Sequence, residues 1–221
     1  MTVKAKCLDV VRWKNVFLQA LHLGLGGVFV VGLWMILGRS WGVQTFGTFN
    51  YLFTLAGAFG ITIDFGLDIL LTRIVASGRS GVVRQLIWIK AAVLVLALLV
   101  FVPMGLLSQP DHGRTFLALV IGVTFLSVTT LCNGLLRGLE RLEVEALIGL
   151  GQKVVFVVAA GIGVLVFDCG LVCVAAAYMG SHVAGFLVTL KCIPARDRFV
   201  YRHKSSLQSH FREVLPLWGV T

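Results

Sequence analysis

An all-α, polytopic bundle of transmembrane helices is the fold class the sequence predicts. Three observations carry it. The chain of 221 residues is 58% hydrophobic and only 13% charged, whereas charged residues make up about a quarter of a typical soluble domain. The apolar residues fall into six runs, each about the 20 residues a helix needs to cross hydrocarbon. Lys and Arg lie almost wholly in alternate connections between those runs: seventeen of the nineteen against two, Arg39 and Arg114. That asymmetry is the orienting signal of multi-pass chains, and it puts both ends of the chain on the cytoplasmic side.

Taken in order, residues 1–14 form a basic leader with Lys4, Lys6, Arg12 and Lys14. The leader runs into an apolar stretch too long for a signal-peptide core and without a small-residue cleavage site, so the first span is expected to stay as an anchor. The six-helix lobe covers residues 15–190. Its spans are expected at 15–37, 46–71, 85–107, 115–136, 146–167 and 171–190. Between them lie a short loop at 38–45, a polar loop at 72–84, a Pro-Gly turn at 108–114, a charged connector at 137–145 and a link of three residues at 168–170. Residues 191–214 form a basic linker whose apolar positions from 197 to 215 suit an amphipathic helix on the cytoplasmic membrane face. Residues 215–221 read as the start of a seventh, truncated span.

Function is sought on the polar faces, because a side chain facing lipid has no reason to be polar. On span one, Asn15, Gln19 and His22 share a face, spaced four and three apart. On span six, Tyr178 and His182 repeat that spacing, and on span four Asn133 and Arg137 follow Ser127 and Thr130. Asp64 and Asp68 close span two. A carboxylate there costs several kcal/mol to bury, so each is expected either in a local ion pair with Arg73 or Lys90 or in a cavity or gating role. Span five is almost wholly apolar and is expected to be peripheral and lipid-facing. Gly134 and Gly138 make a weak GxxxG, since Arg137 sits inside it.

Other chemistry is missing from the sequence. The five cysteines make no CxxC pair and no metal-ligand spacing, and Cys169 and Cys173, one helical turn apart, read as packing. No metal set, nucleotide loop, nucleophile–base set or acidic dyad is present, so neither an enzyme nor a cofactor is expected. The net charge of +9 follows the connections between spans and suits a membrane surface rather than nucleic acid.

Several of these residues stand in a familiar order. Asn15 is followed by Arg39, Gly42, Phe46, Gly47, Asn50 and Tyr51, then by Asp64-Phe65-Gly66-Leu67 and Arg73. Leu136-Arg137-Gly138-Leu139-Glu140-Arg141, Lys153 and Glu213-Val214-Leu215-Pro216-Leu217 complete the series. The chain resembles the O-antigen and capsular polysaccharide flippases of the multidrug/oligosaccharidyl-lipid/polysaccharide exporter superfamily. The resemblance implies one lobe of a two-lobe exporter in a bacterial inner membrane. Its substrate would be an undecaprenyl-diphosphate-linked oligosaccharide, flipped by alternating access and commonly with ion coupling. Membrane lipids and glycan-assembly proteins are the implied partners. Family members usually have twelve or more spans, and this chain has one lobe and the opening of the next. Lys90 and Arg39 are the best deep cations for the diphosphate, with His22 and His182 conditional on protonation. Two alternatives stay open: a cation-coupled multidrug exporter using Asp64 or Asp68, and a truncated, non-transporting membrane protein.

Overall fold

The computed structural model describes residues 2–64, 66–77 and 83–193, with the backbone alone for residues 2–16 and 84. Every element among them is helical. They are α1 (Thr2–Asp64), α2 (Leu67–Ala76), α3 (Val83–Ser108), a 3-10 turn (Pro110–His112), α4 (Gly113–Gly138), α5 (Leu142–Phe167) and α6 (Leu171–Cys192). Five helices are long and apolar enough to cross a membrane. The expected tail helix and the opening of a seventh span lie outside the described residues.

α1 cannot be one rod. Its 63 residues would reach roughly 95 Å at 1.5 Å per residue, three times the thickness of hydrocarbon. The backbone breaks at Gly42, with φ 71° and ψ 172°, a region that essentially only glycine occupies. Rings on the two arms then meet. Trp34 lies 5.5 Å from Phe46, 5.8 Å from Phe49 and 5.3 Å from Phe53, and Trp41 lies 5.4 Å from Phe49. Contacts from Trp34 to rings 12, 15 and 19 residues ahead require the chain to reverse, so α1 is a helical hairpin. The expected loop at 38–45 is thereby corrected to a bend at a single residue, because one Gly-only conformation reverses the chain while helical bonds continue on both sides.

A second correction falls at the end of the hairpin. The expected span 46–71 is cut at Gly66, which is left-handed at φ 70° and ψ 13°, and α2 starts afresh at Leu67. Helix continues to Ala76, beyond the expected start of the polar loop. The expected connector 137–145 shrinks to residues 139–141, with Glu140 at positive φ. Glu143 and Glu145 join the first turn of α5, where the helix dipole favours carboxylates.

Lipid tails are as apolar as leucine, so burial alone does not drive helices together in a bilayer, and close packing of small residues does. Gly122 on α4 meets Tyr178 and the Met179 backbone of α6, and Gly134 and Gly138 meet α2. A Cβ at Gly134 would stand 2.8 Å from the Asp68 carbonyl, and one at Gly138 3.2 Å from the Thr72 carbonyl. The GxxxG is therefore a working helix contact, with Arg137 projecting from its side. The central core joins Leu33, Leu37, Phe49 and Phe59 to Phe116, Leu119 and Ala160. α5 is not peripheral as expected. It packs on α1 and α6 and buries Glu145, Gln152 and Phe156, while Leu147, Val155 and Val158 stay exposed.

The connections sort into two ends. The Trp41 indole N–H donates to the Cys169 carbonyl at 3.3 Å, which joins the Gly42 bend to the α5–α6 link. A concavity of about 510 Å³, lined by Pro110, Thr115 and Leu171, joins the 3-10 turn to the start of α6. The opposite end holds Asp68, Arg137 and Glu145.

Candidate functional site

Three groups of polar side chains lie inside the bundle. The first closes the hairpin. Lys90 on α3 is 4% exposed. Its ammonium donates to Asp64 Oδ1 at 2.8 Å and to the Ile63 carbonyl at 3.0 Å. That carbonyl lies in the last turn of α1, where helix carbonyls lack intrahelical amides. Ser127 on α4 donates its hydroxyl to the same Asp64 oxygen. One buried cation thus caps a helix and neutralises a carboxylate.

The second group clasps α2, α4 and α5. Arg137 Nε donates to Glu145 Oε1 at 2.8 Å and Oε2 at 2.9 Å, and Nη2 donates to Oε1 as well. Arg137 Nη1 reaches Asp68 Oδ2 more loosely, at 3.4 Å. Thr72 Oγ1 bridges the carbonyls of Asp68 and Gly134 at 2.9 and 3.2 Å. The planar guanidinium matches a carboxylate in this forked arrangement, and such bidentate pairs are among the strong hydrogen bonds.

The third set follows α5 along its contacts with α1 and with α6 and differs from the others in lacking partners among the described residues. The His22 ring lies over Gly149, where a Cβ would stand 2.9 Å from Nε2. Lys153 reaches from α5 to Gly26 on α1, whose missing side chain leaves room for the ammonium. Lys153 and Glu145 are both close enough for their charges to act on His22. Gln152 lies against Gly185 of α6. His182 meets Tyr178 edge to face at 4.4 Å, and Tyr178 touches Phe53 and Phe156. His22 Nδ1, Gln152 Nε2, His182 Nδ1 and, on α4, Asn133 Oδ1 are buried without a hydrogen-bond partner among the described residues. Lys153 has neither an ion pair nor a hydrogen bond among the described residues. It sits 11 residues into α5, roughly 17 Å from the start of that helix, near the middle of a membrane.

The expected residues therefore separate. Tyr178 and His182 meet on α6, His22 lies at the α1–α5 contact, and Gln19 on the same arm as His22 is half-buried. Asp64 takes Lys90, one of its two expected partners, whereas Asp68 takes Arg137. Arg73 and Arg39 are exposed. Arg39 is thus no deep cation, because it lies at the Gly42 bend where the chain turns. The side chain of Asn15 lies outside the described residues. Sequence reasoning named Ser127 on the span-four face but missed Lys153, Gln152 and Glu145 as interior groups. Lys153 carried a readable signal, since an ionisable residue well inside an apolar run marks a functional site by default. Among the described residues no cluster of His, Cys, Asp and Glu could hold a metal.

Residues 12–219 match a family model described as "Polysaccharide biosynthesis protein". The chain belongs to the polysaccharide biosynthesis protein family. No curated protein and no solved structure matches it. As a member of that family with several apolar helices of spanning length, the chain is a multi-pass membrane protein connected with polysaccharide transport.

Proposed function

We propose that this family member forms the six-crossing lobe of a two-lobe flippase. Its cargo is an oligosaccharide on an undecaprenyl-diphosphate carrier, turned across the bacterial inner membrane by alternating access. The two arms of α1 count as separate crossings. The Arg137 end is assigned to the cytoplasm, because all of the described Lys and Arg except Arg39 and Arg114 lie toward it or within the spans.

The observation that supports this reading is Lys153. A lysine at mid-membrane without a counter-ion among the described residues is costly, and the His22 imidazole near it, unpaired at Nδ1 among those residues, is costly too. A passing diphosphate supplies negative charge to the ammonium and acceptor oxygens to the N–H donors, and charge-assisted hydrogen bonds of that kind are the strong ones. The seam then binds by charge rather than by sugar identity, and no side chain is assigned a covalent step. The drug-export alternative needs a carboxylate free to meet a cation. Asp64 and Asp68 each face a basic partner, which gives that alternative less support.

The test is complementation of surface polysaccharide in a strain lacking the gene. Lys153→Gln in the full-length protein should cut export about tenfold, roughly one charge-assisted contact, while Lys153→Arg keeps most of it. Full export by Lys153→Gln at normal protein level would sink the reading.

A further inference from the structure

The Gly42 end contains a feature unrelated to the polar seam. α5 ends at Phe167 and turns back through Asp168, left-handed at φ 48°. The turn is tight. The amide of Cys169 donates to the Gly163 carbonyl at 3.0 Å, and the amide of Cys173 donates to Gly170 at 3.1 Å. Cys169 therefore stands just before the N-cap Gly170 of α6, and Cys173 stands in its first turn. Gly163 is the floor beneath both. A Cβ there would lie 3.2 Å from Cys173 Sγ and 3.9 Å from Cys169 Cβ, so the missing side chain leaves the space the two residues share. Both side chains thus border the same glycine, Cys173 with its sulfur and Cys169 with its Cβ. Both cysteines are half-buried, not sealed. Cys192 is far from them, roughly 29 Å along α6 from Cys173.

We propose that Cys169 and Cys173 form a redox-modification site that closes to an intrachain disulfide, with a small-molecule disulfide such as oxidised glutathione as the oxidant. One cysteine, as its thiolate, attacks a sulfur of the oxidant's S–S bond. A mixed disulfide forms and one glutathione thiolate leaves. The second cysteine thiolate attacks the protein sulfur of that mixed disulfide and expels the other glutathione. The protein S–S bond forms, the protons of the two cysteines end on the two released glutathiones, and the two electrons reduce the oxidant. Cross-linked positions need Cα atoms within about 7 Å, and the turn closed by the Cys173 amide on the Gly170 carbonyl folds this short segment back on itself.

Closure fixes the link whose Cys169 carbonyl holds the Trp41 indole. The bond therefore stiffens the contact between the Gly42 bend and the α5–α6 link.

The experiment uses the whole chain in its membrane. Membranes are incubated with oxidised glutathione, free thiols are blocked with N-ethylmaleimide, and the protein is cut with trypsin. Residues 154–191 form one tryptic peptide containing these two cysteines and no other. The expected peptide is lighter by two hydrogens and carries no alkyl group. Reduction before blocking returns two alkyl groups. Cys169→Ser should give no mass loss and a single alkylation after reduction. Two alkyl groups surviving oxidation, or a glutathione adduct that never resolves, would overturn the proposal.

Discussion

The Arg137 clasp and the Lys153 seam make an instructive pair, because both hold charge within the same bundle. At the clasp every charge is answered. Arg137 takes Glu145 with two nitrogens and Asp68 with a third, and nearby Lys90 takes Asp64. In the seam Lys153 and His22 lie between α1 and α5, Gln152 and His182 lie along α5 and α6, and none of them makes a side-chain hydrogen bond among the described residues. A paired charge in an apolar setting holds helices together, whereas an unpaired one costs stability and needs a reason outside the lobe. The clasp should therefore show its worth in stability and the seam in transport.

The largest expected effect falls on the clasp. Glu145→Ala strands Arg137 with only the 3.4 Å contact to Asp68, and breaking a buried pair from one side costs about 3–5 kcal/mol. Thermal unfolding in detergent should record that loss, and an unchanged midpoint would erase the distinction drawn here. Gly134→Ala comes next, at about 1–3 kcal/mol. Its Cβ meets a carbonyl of the backbone, which cannot rotate aside. Gly24→Ala is the control, since nothing lies within 4 Å of its Cβ position, and it should stay within about 0.5 kcal/mol of the parent.

Lys153→Gln sharpens the comparison from the other side. Export should fall about tenfold, equal to 1.4 kcal/mol, while the unfolding midpoint holds or rises because an unanswered charge has gone. Export and stability falling together would assign Lys153 to the clasp class. The smallest effect belongs to Asp68→Asn. Its ion pair is long, and such contacts are worth under about 1 kcal/mol. A double-mutant cycle with Arg137→Gln measures it directly.

Much of the fold was readable in the sequence. The boundaries of spans three, four, five and six all lie within four residues of those of α3, α4, α5 and α6, because a continuous apolar run bounded by Pro, Gly or charge is a local signal. The hairpin was read correctly as a reversal, yet placed over eight residues. Gly42 looks like any loop glycine until its backbone angles are known. The site was less legible. His22, Tyr178 and His182 lay on recognised polar faces, but span five looked uniformly apolar and was assigned to lipid. Its one buried stripe, Glu145, Gln152 and Phe156, is visible only once α1 and α6 cover it.

The amino-acid sequence alone determined that this chain is a helical membrane protein and which connections share a side, since hydropathy and the placement of Lys and Arg act within one segment and need no neighbour. Which charges neutralise each other was decided only in the packed bundle. Arg137 meets Glu145 across a tight turn and Asp68 from 69 residues away, while Lys153 meets neither. The energy of a charge in an apolar medium depends on what stands within a few ångströms of it, and helix packing sets those distances.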